Sequence, residues 1–436
     1  MKKNCELQLH VDGQWHDVGS VTLIGPEEQG GQAATYLGYD GSWVGMYKGA
    51  IDAHALSSQL PVSFAPVEFA HWPVILLDLL PQGFGRGELL RRLDLPETAG
   101  APADWPLLLA GAGNSIGNLR VKEAATWLLH NAGPRYGFTD AEVAARDDEF
   151  AEHLASHGLF IAGSSGVQGE WPKLLMTRAK DGLLYLDHTV ADEDAMEHFI
   201  VKFGRGANPA LAKILRHEAI YMDIAGQLGL RVHAKLTFNE RVLFIPRFDR
   251  QIVEHGVIRL GQESVAALTN TPGFGASMTH ERVVECLLRY CTDAQAQVLE
   301  YIKRDVANLA LKNTDNHARN TAIQRSFDGR VELTPLFDFA PMFLHPDGIA
   351  RRTRWACERT DPSRPDWTTV LDTVEGIARD CARPLNRACL VAGLQDMGPR
   401  LDRIIEDGLA MGLEPDVHAA LARTLARLAR EMKEVR

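Results

Sequence analysis

An acid, an amide and a second acid stand in a telling order along this chain. Asp315 and Asn320 lie in Leu311-Lys-Asn-Thr-Asp-Asn-His-Ala-Arg-Asn320, and Asp338 closes the later run Leu333-Thr-Pro-Leu-Phe-Asp338. Phosphoryl transfer from ATP requires that order. One carboxylate takes or orients the proton of the attacking hydroxyl, while an amide oxygen and a second carboxylate hold Mg²⁺ against the phosphate oxygens. Pro335 and its turn-forming flanks predict that Asp338 ends a short strand. Asn and Asp also gather wherever turns and caps are needed, so the meaning of these residues depends on what lies upstream.

Three upstream features fit the same chemistry. The run 160–175 is rich in Gly and Ser (Ser164, Ser165, Gly166, Val167, Gln168) and leads through Lys173 into an apolar, strand-like stretch at 174–177. Small residues let backbone N–H groups approach phosphate closely. Residues 197–203 read as a strand bearing Lys202, and 210–228 carry apolar residues at threes and fours, a helix that holds Glu218. A strand lysine followed by a helix glutamate is how kinases hold the lysine that contacts nucleotide phosphates. Residues 242–250 then read as a strand passing the adenine side of a nucleotide, with Phe248 as a packing residue. Each feature alone is common; their shared order is the argument.

The remaining chain supplies the frame. Residues 5–50 read as hairpins around the Asp12-Gly13 turn signal, with apolar runs at 34–39 and 42–48 as further strands. A helix is expected over 69–80 and another over 86–95. Glycines at 111 and 113 follow an apolar run, but the third glycine is misplaced for a dinucleotide loop, and a tight turn into a strand at 118–121 suffices. From about 275 the pattern is helical, with helices at 280–289 and 292–311, the latter capped by Thr292. A basic cluster (Arg351, Arg352, Arg354) follows Asp338, and the last helix carries Arg423, Arg427, Arg430 and Lys433 as a solvated face.

Bulk properties exclude several classes. The chain has 436 residues, 45% of them hydrophobic and 24% charged, and a net charge of -11. It therefore has no global basic field to recruit nucleic acid, and it carries no DNA-reading motif. Its six cysteines form no CxxC pair, consistent with free thiols in a reducing compartment. There is no signal-like apolar core at the start and no run long enough to span a membrane. A cytoplasmic protein is expected.

At this point the sequence resembles the HipA family of bacterial serine/threonine kinases, the toxins of toxin–antitoxin pairs. The resemblance rests on Ser165-Gly-Val-Gln168, His198-Phe-Ile-Val-Lys202, Arg247-Phe-Asp-Arg250, Thr314-Asp-Asn-His-Ala-Arg-Asn320 and Leu333-Thr-Pro-Leu-Phe-Asp338, and it covers nearly the whole chain. It implies an α+β, kinase-like, two-lobed architecture: a β-rich N-terminal subdomain (1–125), an ATP-binding α/β lobe (126–270) and a helical lobe with the catalytic and metal loops (271–436). It implies Asp315 as catalytic acid or base, His317 as a buttress of its loop, and Asn320 and Asp338 as Mg²⁺ ligands. Lys202 would contact the ATP phosphates, and the loop 164–168 would cover them and include a self-phosphorylated serine, Ser164 or Ser165. The implied partners are a protein substrate, in known cases an aminoacyl-tRNA synthetase, and a helix-turn-helix antitoxin. Gly169-Glu-Trp171 interrupts the family's usual Gly-Val-Gln-Pro-Lys, so Lys173 follows a longer loop. Two alternatives stand beside this reading: a small-molecule phosphotransferase of the antibiotic-kinase type, and a catalytically silent binding module in a repressor complex.

Overall fold

The computed structural model describes residues 3–436 apart from 132, 134, 146–171, 205–207, 255, 274 and 358–363. The Gly/Ser run, with Ser164, Ser165, Gly166, Val167 and Gln168, thus lies outside the described residues. The chain forms two compact units. One comprises Met1–Arg205, Thr237–Pro272 and Gln324–Arg330; the other comprises Gly206–Leu236, Gly273–Ile323 and Val331–Arg436. The class is α+β, with two five-stranded sheets in the first unit and a predominance of helix in the second.

In the first unit, strands Asn4–Val11 and Gln14–Leu23 pair antiparallel. Asp12 and Gly13 between them have φ of 50° and 77°, as a two-residue hairpin turn demands. The sheet runs in the order Val67–Phe69, Thr35–Tyr39, Gln14–Leu23, Asn4–Val11, Leu119–Val121. Two expectations are corrected here. Residues 42–48 are not a strand, because Gly41–Tyr47 is a helix. Trp43 and Val44 are buried while Met46 is 63% exposed, and Tyr47 packs on Trp43 with ring centroids 4.5 Å apart. That inward set recurs at helical spacing, not at every second residue. The helix expected over 69–80 is only Val74–Asp78, preceded by strand Val67–Phe69 and entered at Pro73. Gly113 has a packing role: a Cβ there would lie 2.6 Å from the backbone of Ala124, so the glycine lets helix Lys122–Asn131 approach.

The second sheet has the order Leu184–Leu186, Lys173–Ala179, Ala195–Phe203, Val242–Pro246, Thr237–Asn239. One face buries Leu174, Met176, Phe199, Val201, Phe203 and Phe244 in a single apolar cluster with Phe138 and Val143. Beside it lies a wholly buried ionic network built on the Arg-Phe-Asp-Arg motif. The Arg247 guanidinium grips the Asp249 carboxylate with two hydrogen bonds of 2.9 and 2.7 Å. Arg250 donates to the same carboxylate at 2.7 Å and to the Gly117 carbonyl at 2.8 Å. The Gly117 N–H in turn donates to Asp249 at 2.7 Å. Arg247 also reaches Asp187, whose other oxygen meets Thr177 and His198 at 2.6 and 3.0 Å.

In the second unit, helix Pro209–Gln227 starts on Asn208, whose side chain accepts from the Ala210 N–H. Helices His280–Tyr290, Ala294–Ala310, Trp367–Asp380, Arg387–Gln395, Met397–Asp407 and Pro415–Glu434 complete its long elements. Ala294–Ala310 is capped by Asp293, not Thr292; the Thr292 hydroxyl instead accepts from the Val331 N–H at 2.9 Å. Asp338 does not end a strand. Strand Val331–Leu333 stops before Pro335, which lacks a ladder donor, and Asp338 sits in the loop beyond it with φ of 54°. Among the described residues no helix is long and apolar enough to cross a membrane.

Asp249 is the group that makes two buried arginines tolerable, so Asp249→Ala is expected to cost about 3–5 kcal/mol, as removal of one partner of a buried pair does. A urea titration reads this directly; an unchanged midpoint would contradict it. Burial alone would raise the Asp249 pKa, but Arg247 and Arg250 outweigh that and hold it far below the carboxylate range. Its folded value being depressed, the unfolded chain binds the extra proton. The network's contribution is therefore complete above about pH 4 and drains away as the pH falls further.

Candidate functional site

The run 311–320 contains no helix or strand, so its polar backbone must find partners outside regular secondary structure. Helix Pro209–Gln227 supplies one anchor. The Tyr221 hydroxyl donates to the Leu311 carbonyl at 3.0 Å, and the Tyr221 ring lies 5.7 Å from that of Phe339. One side chain thereby holds both the start of the Asp315 loop and the residue after Asp338. The Phe343 N–H donates to the Lys312 carbonyl at 3.3 Å, joining the same two segments again. Glu218 is buried three residues before Tyr221, on the same helix face.

Within the loop, three of the expected residues come together. The Asn320 side-chain amide donates to the Asp315 carbonyl at 2.8 Å, and the Asn320 N–H donates to the His317 carbonyl at 2.9 Å. With its nitrogen used in this way, the side-chain oxygen is the end of Asn320 left to meet a cation. The Arg319 N–H donates to His317 Nδ1 at 3.2 Å. A ring nitrogen that accepts carries no proton, so the neutral ring bears its hydrogen on Nε2. That atom is 3.5 Å from Asp315 Oδ1. His317 and the Asp315 carboxylate thus stand in electrostatic contact. Both side chains are partly exposed, at 22% and 26%.

Lys173, Lys202 and Phe248 belong to the first unit. Lys173 and Lys202 are directly opposed on neighbouring antiparallel strands. Both alternate with residues of the apolar cluster and so occupy the sheet's other face, 2% and 4% exposed. The register thus sets two lysines at opposed positions on one face of the sheet. Phe248 is half-buried between Arg247 and Asp249 of the ionic network.

Sequence reasoning passed over Asn316, Asn313 and Asp305. Asn316 accepts from the Arg352 N–H at 3.2 Å and donates to the Thr353 carbonyl at 3.0 Å, pairing with that backbone as a strand would. Asn313 donates to Asn308 at 2.9 Å. Asp305, 1% exposed in its side chain, receives Arg351 at 2.8 Å and the Trp355 indole N–H at 3.0 Å, with His280 at 3.3 Å. Burial would raise its pKa; His280 and Arg351 outweigh that and hold it well below the carboxylate range. The basic residues after Asp338 hinted at such a partner, but only the fold identifies it.

The donor chemistry fits the groups expected here. A carboxylate and an amide oxygen suit a hard cation such as Mg²⁺, which takes few protein ligands and retains water, and paired lysines suit a triphosphate.

Replacing Asn316 with Ala removes both backbone-mimicking bonds, worth about 1 kcal/mol each. Hydrogen exchange at the Arg352 amide is expected to accelerate about tenfold, while amides within helix Ala294–Ala310 stay protected; equal protection at Arg352 in both proteins would refute the tether.

Comparisons with known proteins complete the picture. The model of the HipA-like C-terminal domain matches residues 165–392. Among solved structures the chain is similar to HipA of the Shewanella oneidensis MR-1 toxin–antitoxin system, determined with HipB and operator DNA. That likeness covers 99% of this chain and 97% of the other, at 18% identity and a TM-score of 0.64. At such identity it speaks for the fold alone. A partial likeness, to the Helicobacter pylori proinflammatory kinase CtkA, covers 54% of this chain and 86% of the other at 17% identity and a TM-score of 0.34. No curated protein matches the sequence.

Proposed function

We propose a function from the premise that the chain belongs to the HipA-like family: it is a serine/threonine kinase that transfers the γ-phosphate of ATP to a serine of another protein. The observation that carries this reading is the hold on Asp315, whose carbonyl accepts from Asn320 and whose carboxylate faces His317 Nε2. Asp315 takes or orients the proton of the substrate hydroxyl, and His317 keeps the carboxylate turned toward it. Asn320 and Asp338 would hold Mg²⁺. Lys202, with Lys173 beside it, would hold the nucleotide phosphates, Glu218 would support Lys202, and Phe248 would pack near the base. Bound Mg²⁺·ATP supplies the phosphoryl group and neutralises its developing charge. The chain's own contribution is positioning and proton handling, with no covalent enzyme intermediate.

In this reading the protein is a cytoplasmic, growth-arresting toxin. Its substrate is a cytosolic protein, an aminoacyl-tRNA synthetase being the leading class, and its restraint is an antitoxin of the helix-turn-helix kind. The Shewanella structure, which contains HipB and operator DNA, supports looking for such a partner.

Asp315→Ala is expected to abolish labelling of a cell lysate by purified protein and labelled ATP while leaving nucleotide binding largely intact. Asp338→Asn is the better metal-site variant, because Asn tolerates the left-handed backbone at φ of 54°. It is expected to weaken Mg²⁺·ATP binding as well as labelling. Near wild-type labelling by both variants would remove the assignment, and labelling of sugars or antibiotics but no protein would favour a small-molecule phosphotransferase.

Self-inactivation is the second part of the proposal. Phosphate on Ser164 or Ser165 adds roughly 1.5 to 2 negative charges in a loop that must lie near the triphosphate, and repulsion then displaces it. Mass spectrometry after incubation with Mg²⁺·ATP is expected to find the phosphate in the native protein and not in Asp315→Ala. Its absence from both serines in active protein would sink the idea.

A further inference from the structure

The second unit contains a cavity of about 630 Å³ whose wall is strongly cationic. Lys312, Arg351, Arg364, Arg423, Arg427 and Arg430 all line it. Three of these recur at positions i, i+4 and i+7 on helix Pro415–Glu434, and so form one stripe facing one space. Like charges at that spacing destabilise a helix, and the chain as a whole is acidic at -11. A concentration of guanidinium groups here therefore calls for an anion.

The partial compensation is identifiable. Arg427 is bridged to Glu431 at 2.8 Å, and Arg351 to Asp305 at 2.8 Å. Lys312 donates to the Ala420 carbonyl at 2.7 Å, which ties the loop before Asp315 to the helix that carries the stripe. Arg423 and Arg430 are exposed and have no ion pair or hydrogen bond among the described residues. A second, independent observation concerns Thr314, which also lines the cavity. Its hydroxyl oxygen is buried and has no hydrogen-bond partner among the described residues. A buried hydroxyl without a partner is costly, and a bound oxyanion would supply one.

We infer that this cavity binds a phosphate monoester. A doubly charged, three-oxygen group matches several planar guanidinium forks and one hydroxyl donor. The volume exceeds that of a lone phosphate and lies in the range of ligand pockets, leaving room for what bears the ester. Leu309 and the ring of Phe343 in the wall suit an apolar linker. The bearer is either a phosphorylated side chain of a polypeptide or a free nucleotide, sources that share this chemistry. Thr314 directly precedes Asp315, so either occupant would sit beside the proposed catalytic loop, although the inference does not depend on catalysis.

The test uses the full chain with its nucleotide site saturated by a non-hydrolysable ATP analogue and Mg²⁺. Fluorescence anisotropy follows a labelled phosphoserine peptide, its unphosphorylated twin and a labelled AMP. At least one phosphorylated probe is expected to bind in low salt, and the unphosphorylated peptide at least about tenfold more weakly. Whichever phosphorylated probe binds identifies the source. Arg423→Gln with Arg430→Gln, both at exposed positions, is expected to weaken that binding at least about tenfold with an unchanged circular dichroism melt. The Asp315→Ala variant, whose nucleotide site can still be saturated, is expected to bind the probe as the native protein does while labelling nothing, so failure of the kinase reading and failure of this one are separable. Binding of neither phosphorylated probe, equal binding of both peptides, or undiminished binding by the double variant would overturn the proposal.

Discussion

An irregular loop cannot borrow the hydrogen bonds of a helix or a sheet, and residues 311–320 must find them elsewhere. The second unit meets that demand with side chains. Tyr221 takes the Leu311 carbonyl, Asn320 takes that of Asp315, and Asn316 pairs with the backbone of Arg352 and Thr353. Each bond adds about 1 kcal/mol, which is modest alone. Together they over-determine the path of the backbone, and an acid on an irregular segment needs that to be held in place. The amides in the motif are therefore the loop's substitute for secondary structure.

Both units also hold charge away from water, and both use the same solution. Asp249 lies between Arg247 and Arg250, and Asp305 lies between His280 and Arg351. In each case a carboxylate accepts from an extra neutral donor, the Gly117 N–H or the Trp355 indole. Buried pairs of this kind contribute little net stability, yet losing one member is expensive. Their effect is to specify geometry. The first connects the end of strand Val242–Pro246 to the turn at Gly117. The second fixes Arg351, and the segment it fixes carries the backbone groups that Asn316 grips.

The sequence by itself determined whatever depends on neighbours in the chain. The Asp12-Gly13 hairpin, strand Ala195–Phe203, helix Pro209–Gln227 and helix His280–Tyr290 all follow from periodicity and turn chemistry within a few residues. The acid–amide–acid order and the Lys-then-Glu order were legible for the same reason, since they are patterns of residue type along one line. Their proposed roles could be written down before any coordinates, although type and order alone say nothing of what holds Asp315.

Tertiary structure decided the rest, because those features depend on residues far apart in sequence. Residues 41–47 coil because Trp43 and Val44 find a common buried side and Tyr47 packs on Trp43, a choice no seven-residue pattern makes unaided. Asp338 falls in a left-handed turn past its strand, where Pro335 ends the ladder and Phe339 meets Tyr221 from another helix. Arg-Phe-Asp-Arg became a buried network only when residues 115–117 arrived beside it. The stripe on the last helix reads as an ordinary solvated face until Lys312, Thr314 and Arg351 close around its far side. Which face of a helix matters is set by what packs opposite, and that information is not local.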